Sequence, residues 1–255
     1  PYTDQAFMAS FADRNLRHHP DVCLFGECWV SSPSAQATYI SGSSVSMSDS
    51  HLESVKDFQL HFALRDAIGE APSWRTGITR VHGVLGQDGV YPDPNRLVTF
   101  VDNHDTDRWH SVARDLPRTR YGIGLVMMTR GLPCLYYGTE IGMDGFAAPD
   151  GLVRGDFPGG WAEDARSAFT SDERNQEEEQ LWRFTAALGQ ARRQYRQAFS
   201  SPMAHLIPRG GQYHFLRSEG RQHLLVLTNA SDEPAELNWS QLAPLRRNAE
   251  ECRSI

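Results

Sequence analysis

Two rhythms of apolar positions alternate along most of the chain: short continuous apolar runs, and longer stretches in which apolar residues recur with a period near 3.6. Such alternation predicts βα units around a parallel sheet. The first helix is expected over residues 4 to 17, with Asp4 as N-cap, Phe7, Met8 and Phe11 on one face, and Pro20 beyond its end. Val22, Cys23, Leu24 and Phe25 then form an apolar run that ends at Gly26 and Glu27. Residues 31 to 50, rich in Ser and carrying Pro33 and Gly42, read as a loop too long for a plain connector. A substrate-side βα loop fits this segment, and a solvated linker is the other reading. Residues 55 to 60 are expected as strand, 61 to 68 as a helix with Phe62 and Ala63 inward, and 69 to 95 as a loop carrying Gly and Pro. A second apolar run, Leu97, Val98, Phe100 and Val101, ends in Asp102-Asn103-His104-Asp105.

Further on, Tyr121, Leu125 and Met128 recur at i, i+4 and i+7, which marks a helix ending near Gly131. Residues 134 to 137 follow as strand, and 138 to 176 as a long Gly-rich loop with Asp144, Asp156 and Trp161. The next helix spans 177 to 195, with Leu181, Phe184, Leu188 and Tyr195 facing inward. Its Glu177-Glu178-Glu179 run sits at the positive helix end and reads as a solvated helix start rather than a metal site. Past Phe199 the rhythm changes to short strands at 205 to 208, 212 to 217 and 223 to 229, separated by turns at Arg209-Gly210-Gly211 and Glu219-Gly220. That is an antiparallel β unit, and the pattern weakens after about Pro234.

Composition narrows the function classes. With 255 residues, 40% hydrophobic and 22% charged, the chain can bury one sizeable core or one and a half domains. A net charge of −7 argues against a nucleic-acid partner or an anionic membrane surface, both of which want a basic face. No apolar run approaches the roughly twenty residues of a membrane span, no targeting leader is readable, and localisation is unknown. Cys23, Cys28, Cys134 and Cys252 lack Cys-x-x-Cys spacing. Three of them lie in or beside expected strands, where a free Cys acts as a small hydrophobe. Neither a disulfide framework nor a zinc site nor a cofactor is expected.

The candidate chemistry lies where the two apolar runs end. Each delivers a carboxylate, and in barrel enzymes catalytic groups sit at strand ends. An acid after a strand can also be a helix N-cap or a solvated loop residue. The recurrence of the pattern, with room for a strand and a helix between, favours function. Cleaving a glycosidic bond needs one acid to protonate the leaving oxygen and a second carboxylate to capture the cationic sugar, about 5 Å apart in retaining enzymes. Glu27 fits the donor. Flanked by Phe25, Cys28 and Trp29, it is expected to be partly desolvated with a raised pKa. Trp29 is the best aromatic platform for a sugar face. Tyr137, Phe157 and Trp161 are weaker platforms that also suit core or loop packing. The polar neighbours of His104, namely Asp102, Asn103 and Asp105, favour ligand contact over a core position. Arg108 fits either a pairing with Asp105 or a neighbouring acid, or a surface position at a helix start.

Gly26-Glu27-Cys28-Trp29 and Phe100-Val101-Asp102-Asn103-His104-Asp105 resemble the proton-donor and second-acid segments of the α-amylase family of retaining glycoside hydrolases. Asp57-Phe58-Gln59-Leu60, the stretch from Leu132 to Glu140, and the stretch from Arg154 to Trp161 look like its cyclomaltodextrinase and neopullulanase branch. The resemblance covers about residues 1 to 230. It implies a fold of α/β class: the C-terminal half of a (β/α)8 TIM barrel over 1–198, then a small antiparallel β-sandwich domain over 199–255 that ends incomplete. It implies the catalytic residues Glu27, the donor, and Asp105, which grips hydroxyls and favours the cationic ring. His104, Trp29, Asn103, Arg108 and Tyr137 follow as substrate-binding residues. The substrate is an α-1,4-linked maltooligosaccharide, cyclodextrin or related α-glucan, cleaved by hydrolysis. The alternatives are transglycosylation on the same scaffold, and a non-catalytic amylase-like binding subunit. The family's nucleophilic Asp lies in an R-x-D segment just before a Pro-Tyr-type stretch. This chain opens at Pro1-Tyr2, so that segment is expected to be missing, and pairing with the missing half or with another copy is expected.

Overall fold

The computed structural model describes residues 3–236 and 239–242. Four short strands lie parallel, each followed by helix. β1 (Phe25–Gly26) pairs with β2 (Ser54–Val55), and β3 (Val98–Thr99) pairs with β4 (Leu132–Pro133). A bridge from Lys56 to Val98 joins the two ladders, so the strands run in the order β1-β2-β3-β4. Among the described residues this is an open arc and not a closed barrel.

Local side chains set the helix ends. In α1 (Gln5–His18) the Asp4 carboxylate accepts from Phe7 N at 2.9 Å, as expected of an N-cap. The face bearing Phe7 and Phe11 is open: the two rings stack on each other, and Phe7 is 60% exposed. Inside the loop over 31 to 50, Pro33 starts a single-turn helix, α2 (Pro33–Ala37). The strand expected over 55 to 60 is a misreading, because α3 (Phe58–Ala67) begins there. Asp57 caps it by accepting from Leu60 N at 3.1 Å. The expected 69 to 95 loop contains α4 (Ile78–Leu85), whose Ile78, Val81 and Leu85 are all buried.

After β3 comes α5 (Trp109–Ala113), then α6 (Leu116–Met128), capped by Asp115 and stopped by a turn at Gly131. Gly131 has φ +97°, and a Cβ there would meet Leu97 O at 2.6 Å, so both conformation and space call for glycine. β4 occupies Leu132–Pro133 rather than 134 to 137. Only Cys134 N, donating to Thr99 O at 2.8 Å, continues the ladder. Helix α7 (Gln176–Gln194) matches its expected span, with an Asn175/Glu178 capping box.

Helices α3, α4, α6 and α7 cover one side of the arc with a core that includes Leu64, Val81, Trp109, Ile123, Val126 and Leu181. Gly122 in α6 lets Trp109 lie against the helix, since a Cβ there would sit 2.2 Å from the indole. A three-stranded antiparallel sheet follows, β5 (Met203–His205), β6 (Gln212–Glu219) and β7 (Gln222–Asn229). The first of these starts before the expected 205 to 208. No second sheet faces it among the described residues, so the expected sandwich is represented by one layer. Most of the weakly patterned tail, Cys252 included, lies outside the described residues. No described helix is long and apolar enough to cross a membrane.

A buried ion cluster ties these segments together. The Arg130 guanidinium meets Asp57 and Asp88, with the Arg130 Nε to Asp88 contact at 2.8 Å. Gln36 donates to Asp57 at 3.1 Å and to the Tyr91 hydroxyl at 3.0 Å. Replacing Arg130 by Met leaves the buried Asp57 and the partly buried Asp88 carboxylates without their cation. We expect it to lower unfolding free energy by ~3–5 kcal/mol, read from urea denaturation.

His61 in α3 stacks on Phe100 at 4.9 Å, and its Nδ1 lies 2.9 Å from Val101 O. Burial pushes its pKa down from 6.5 to about 4. The unfolded chain therefore takes up this proton first, so stability present above pH 6.5 declines as pH falls towards 4. His61→Phe should flatten part of the fall in thermal midpoint between pH 7 and pH 4.5. An unaltered pH slope would show that His61 does not carry it.

Candidate active site

Glu27 leaves β1 at its C-terminal end. Its Oε1 accepts from Trp29 Nε1 at 3.0 Å and its Oε2 from Lys56 Nζ at 2.9 Å. Lys56 follows β2, the neighbouring strand. Strand alternation buries Val55 and sends Lys56 to the opposite face, where its ammonium lies 5.9 Å from the Phe100 ring centroid. Burial pushes the Glu27 pKa up. The hydrogen bonds from Trp29 and Lys56, with the charges of Lys56 and His104, outweigh it and hold the carboxyl below its ordinary value. The raised pKa expected from apolar neighbours is thus corrected. The sequence reading saw the desolvating residues and missed the cation on the next strand.

Asp105 sits in the turn after β3. Asn103 shapes that turn, its Oδ1 accepting from Asp105 N at 2.8 Å while its own N–H donates to Thr106 Oγ1 at 2.9 Å. Arg154 reaches in from the long loop, its Nη2 2.8 Å from Asp105 Oδ1 and its Nε 2.9 Å from His104 O. His104 Nε2 lies 3.1 Å from Asp105 Oδ2 on the exposed side, so His104 is not a core histidine. Trp29, whose indole N–H donates to Glu27, lines one cleft with Asp105 and so links the two strand-end acids.

Trp29 and Asp105 line the same cleft, of about 140 Å³, with Phe62, Arg65 and Asp107. The Trp29 indole packs on Phe58 at 4.4 Å and Phe62 at 6.0 Å and remains 45% exposed, so it presents a supported, open aromatic surface. Tyr137 is not among the residues lining that cleft; it is half-exposed, packs on Tyr136 at 4.5 Å and is tied through its hydroxyl to Gly155 O at 2.9 Å. Phe157 packs on Phe169 at 4.6 Å, and Trp161 stands open on the loop.

Arg108 differs from both of its expected placements. It is fully buried, donates to Tyr137 O at 2.6 Å and lies 4.2 Å from the Tyr136 ring centroid. Arg154 makes the contact with Asp105 that Arg108 was expected to offer. Asn103 is buried as a turn former, while Asp102 accepts from Trp109 N at 2.8 Å and Thr139 Oγ1 at 2.6 Å. Sequence reasoning passed over Lys56, Tyr136 and Arg154. The alternation of Lys56 with Val55 was the one signal that could have found Lys56.

The family model described as "Alpha amylase, catalytic domain" matches residues 2–248. Cyclomaltodextrin glucanotransferase of Niallia circulans is 29% identical over 136 residues, 53% of this chain and 18% of that protein. The enzyme of the same name from Bacillus licheniformis is 29% identical over 140 residues, 55% of this chain and 18% of its own length. The matched part therefore spans about a fifth of these curated relatives. Among solved structures, an alpha-amylase from Geobacillus thermoleovorans complexed with acarbose superimposes with a TM-score of 0.72 at 20% identity, covering 91% of this chain and 47% of that one. Cyclic α-maltosyl-(1→6)-maltose hydrolase from Arthrobacter globiformis gives 0.69 at 15%, covering 89% and 46%. These structural likenesses establish the fold. With the family model covering nearly the whole chain, the protein belongs to the alpha-amylase catalytic domain family.

Proposed function

We propose that this chain is part of a retaining glycoside hydrolase acting on α-1,4-glucosidic bonds of maltooligosaccharides, cyclodextrins or related α-glucans. The observation that carries the reading is the placing of strand-end groups at one end of the parallel arc: Glu27 after β1, bonded to Trp29, and His104 and Asp105 after β3, with Trp29 and Asp105 on one cleft. Glu27 protonates the leaving oxygen and, after the sugar has been captured, deprotonates the incoming water. Asp105, oriented by Arg154, stabilises the positive ring as the bond breaks. His104 donates to a hydroxyl of the same sugar, and Trp29 covers the apolar face of the sugar on the leaving side. Asn103 and Arg108 act from behind, by shaping the turn and by holding the Tyr136-Tyr137 segment.

The nucleophilic carboxylate is proposed to come from a segment outside these 255 residues. Asp57 cannot serve, since it is buried against Arg130, whereas Asp156 stands exposed on the long loop. The barrel portion is proposed to end near residue 198, with the β domain beyond. Transfer to a sugar hydroxyl in place of water is a second reading, favoured by the glucanotransferase relatives. A non-catalytic binding subunit is the reading from another class, and the presence of both Glu27 and Asp105 counts against it.

In the complete protein Glu27→Gln should cut turnover of starch oligomers by ~10²- to 10⁴-fold and spare glycosyl-enzyme formation from aryl maltosides, whose leaving groups need no proton. Equal losses on both substrates would remove Glu27 as the donor.

Asp105→Asn should lower kcat on maltotriose far more than it raises KM, because its charge matters most as the ring becomes cationic. Wild-type turnover at saturation would sink that role. Longer products from maltotriose would identify transfer, and binding without any product a non-catalytic subunit.

Residues 1–255 alone should release no glucose or maltose from maltotriose. Release that vanishes in Glu27→Gln would assign the nucleophile to a carboxylate of this chain, with Asp156 first to test.

A further inference from the structure

A general acid needs its proton, yet both oxygens of Glu27 are engaged as acceptors, one by the Trp29 indole N–H at 3.0 Å and the other by the Lys56 ammonium at 2.9 Å. A carboxylate held by two such donors is stabilised in its ionised form. Lys56 is itself mostly buried, its side chain 14% exposed, and its ammonium lies 5.9 Å from the Phe100 ring centroid. The contact is therefore a partly desolvated pair on adjacent strands, not two flexible surface charges meeting in water.

We propose, on the reading of Glu27 as proton donor, that Lys56 is its positioning residue: the ammonium fixes which way the carboxylate faces, and loosening of that contact when sugar occupies the cleft frees Glu27 to carry a proton. The other charged groups facing Glu27 are few. His104 acts on it from the turn after β3, with Asp105 and Arg154 behind, and the Cys28 thiol adjoins it in sequence. Lys56 is the one ammonium in contact with it among the described residues, and the only side chain that pairs with Oε2. Substitution of Lys56 leaves the Trp29 bond in place, so the two contributions separate.

The test is a 13C carboxyl NMR titration of the full chain labelled at glutamate, with Glu27→Gln assigning the signal. In Lys56→Met the Glu27 midpoint should rise, because burial is then opposed by less. Lys56→Gln, which keeps a donor without the charge, should give an intermediate value, and Lys56→Arg should restore the wild-type midpoint. An unmoved midpoint in the folded Met variant overturns the proposal. So does unfolding of both the Met and Gln variants, which would make Lys56 a structural residue. The titration needs no turnover. In the native full-length protein the alkaline limb of kcat/KM should move to higher pH in Lys56→Met, since the donor stays protonated further, and KM should change less than kcat. If the titration moves while the limb stays, the ion pair stands and it is the donor role of Glu27 that fails.

Discussion

The cluster around Arg130 is the constraint on which the rest of the arrangement depends. One buried guanidinium joins the turn after α6 to Asp57, which caps α3, and to Asp88, in the segment leading to β3. Asp57 N also donates to Val98 O at 2.8 Å, so the residue that carries the buried charge also fixes the register between β2 and β3. Lys56 stands immediately before it and Glu27 one strand away. A shift of the Arg130 cluster would move Asp57 and with it the adjoining Lys56, which meets Glu27 across the separate β1–β2 pairing. Burial pushes the Asp88 carboxyl up to about 6 against the pull of the Arg130 guanidinium.

Arg217 does a related job for the C-terminal sheet. Fully buried on β6, it donates to the carbonyls of Phe199 at 2.6 Å, Ser201 at 2.8 Å and Ala198 at 3.1 Å, and to Asn95 Oδ1 at 2.7 Å. Three of those acceptors belong to the linking segment and one to the approach to β3. The antiparallel sheet is therefore fastened to the parallel arc by directional bonds as well as by the apolar contact of Tyr213 and Phe215 with the main core.

What could be read in the sequence was what depends on near neighbours. The starts of α1 and α7 and the stop of α6 were legible because Asp4, the Glu177-Glu178-Glu179 run and Gly131 act within a turn of themselves, whereas the Asn175 cap of α7 was not read. Strand extents were not, since a ladder ends where its partner does. Residues 55 to 60 fit both a strand and one face of a helix, and only the capping role of Asp57 decides between them. Helix α4 hid behind Gly77, Gly83 and Gly86, although Ile78, Val81 and Leu85 keep helical spacing. The two strand-end acids were visible as residues, but their surroundings were not: Lys56 lies 29 positions from Glu27 and Arg154 lies 49 from Asp105. The ionisation of Glu27 was misjudged for that reason.

The bond from Trp29 to Glu27 also gives the site an optical property. An indole whose N–H points at a carboxylate 3.0 Å away sits in an electric field that changes when that carboxylate gains a proton. The emission energy of an indole follows such a field. The residue proposed as a stacking surface thus reports the charge state of the acid beside it, and both occupancy of the cleft and protonation of Glu27 would be written into the fluorescence of this one side chain.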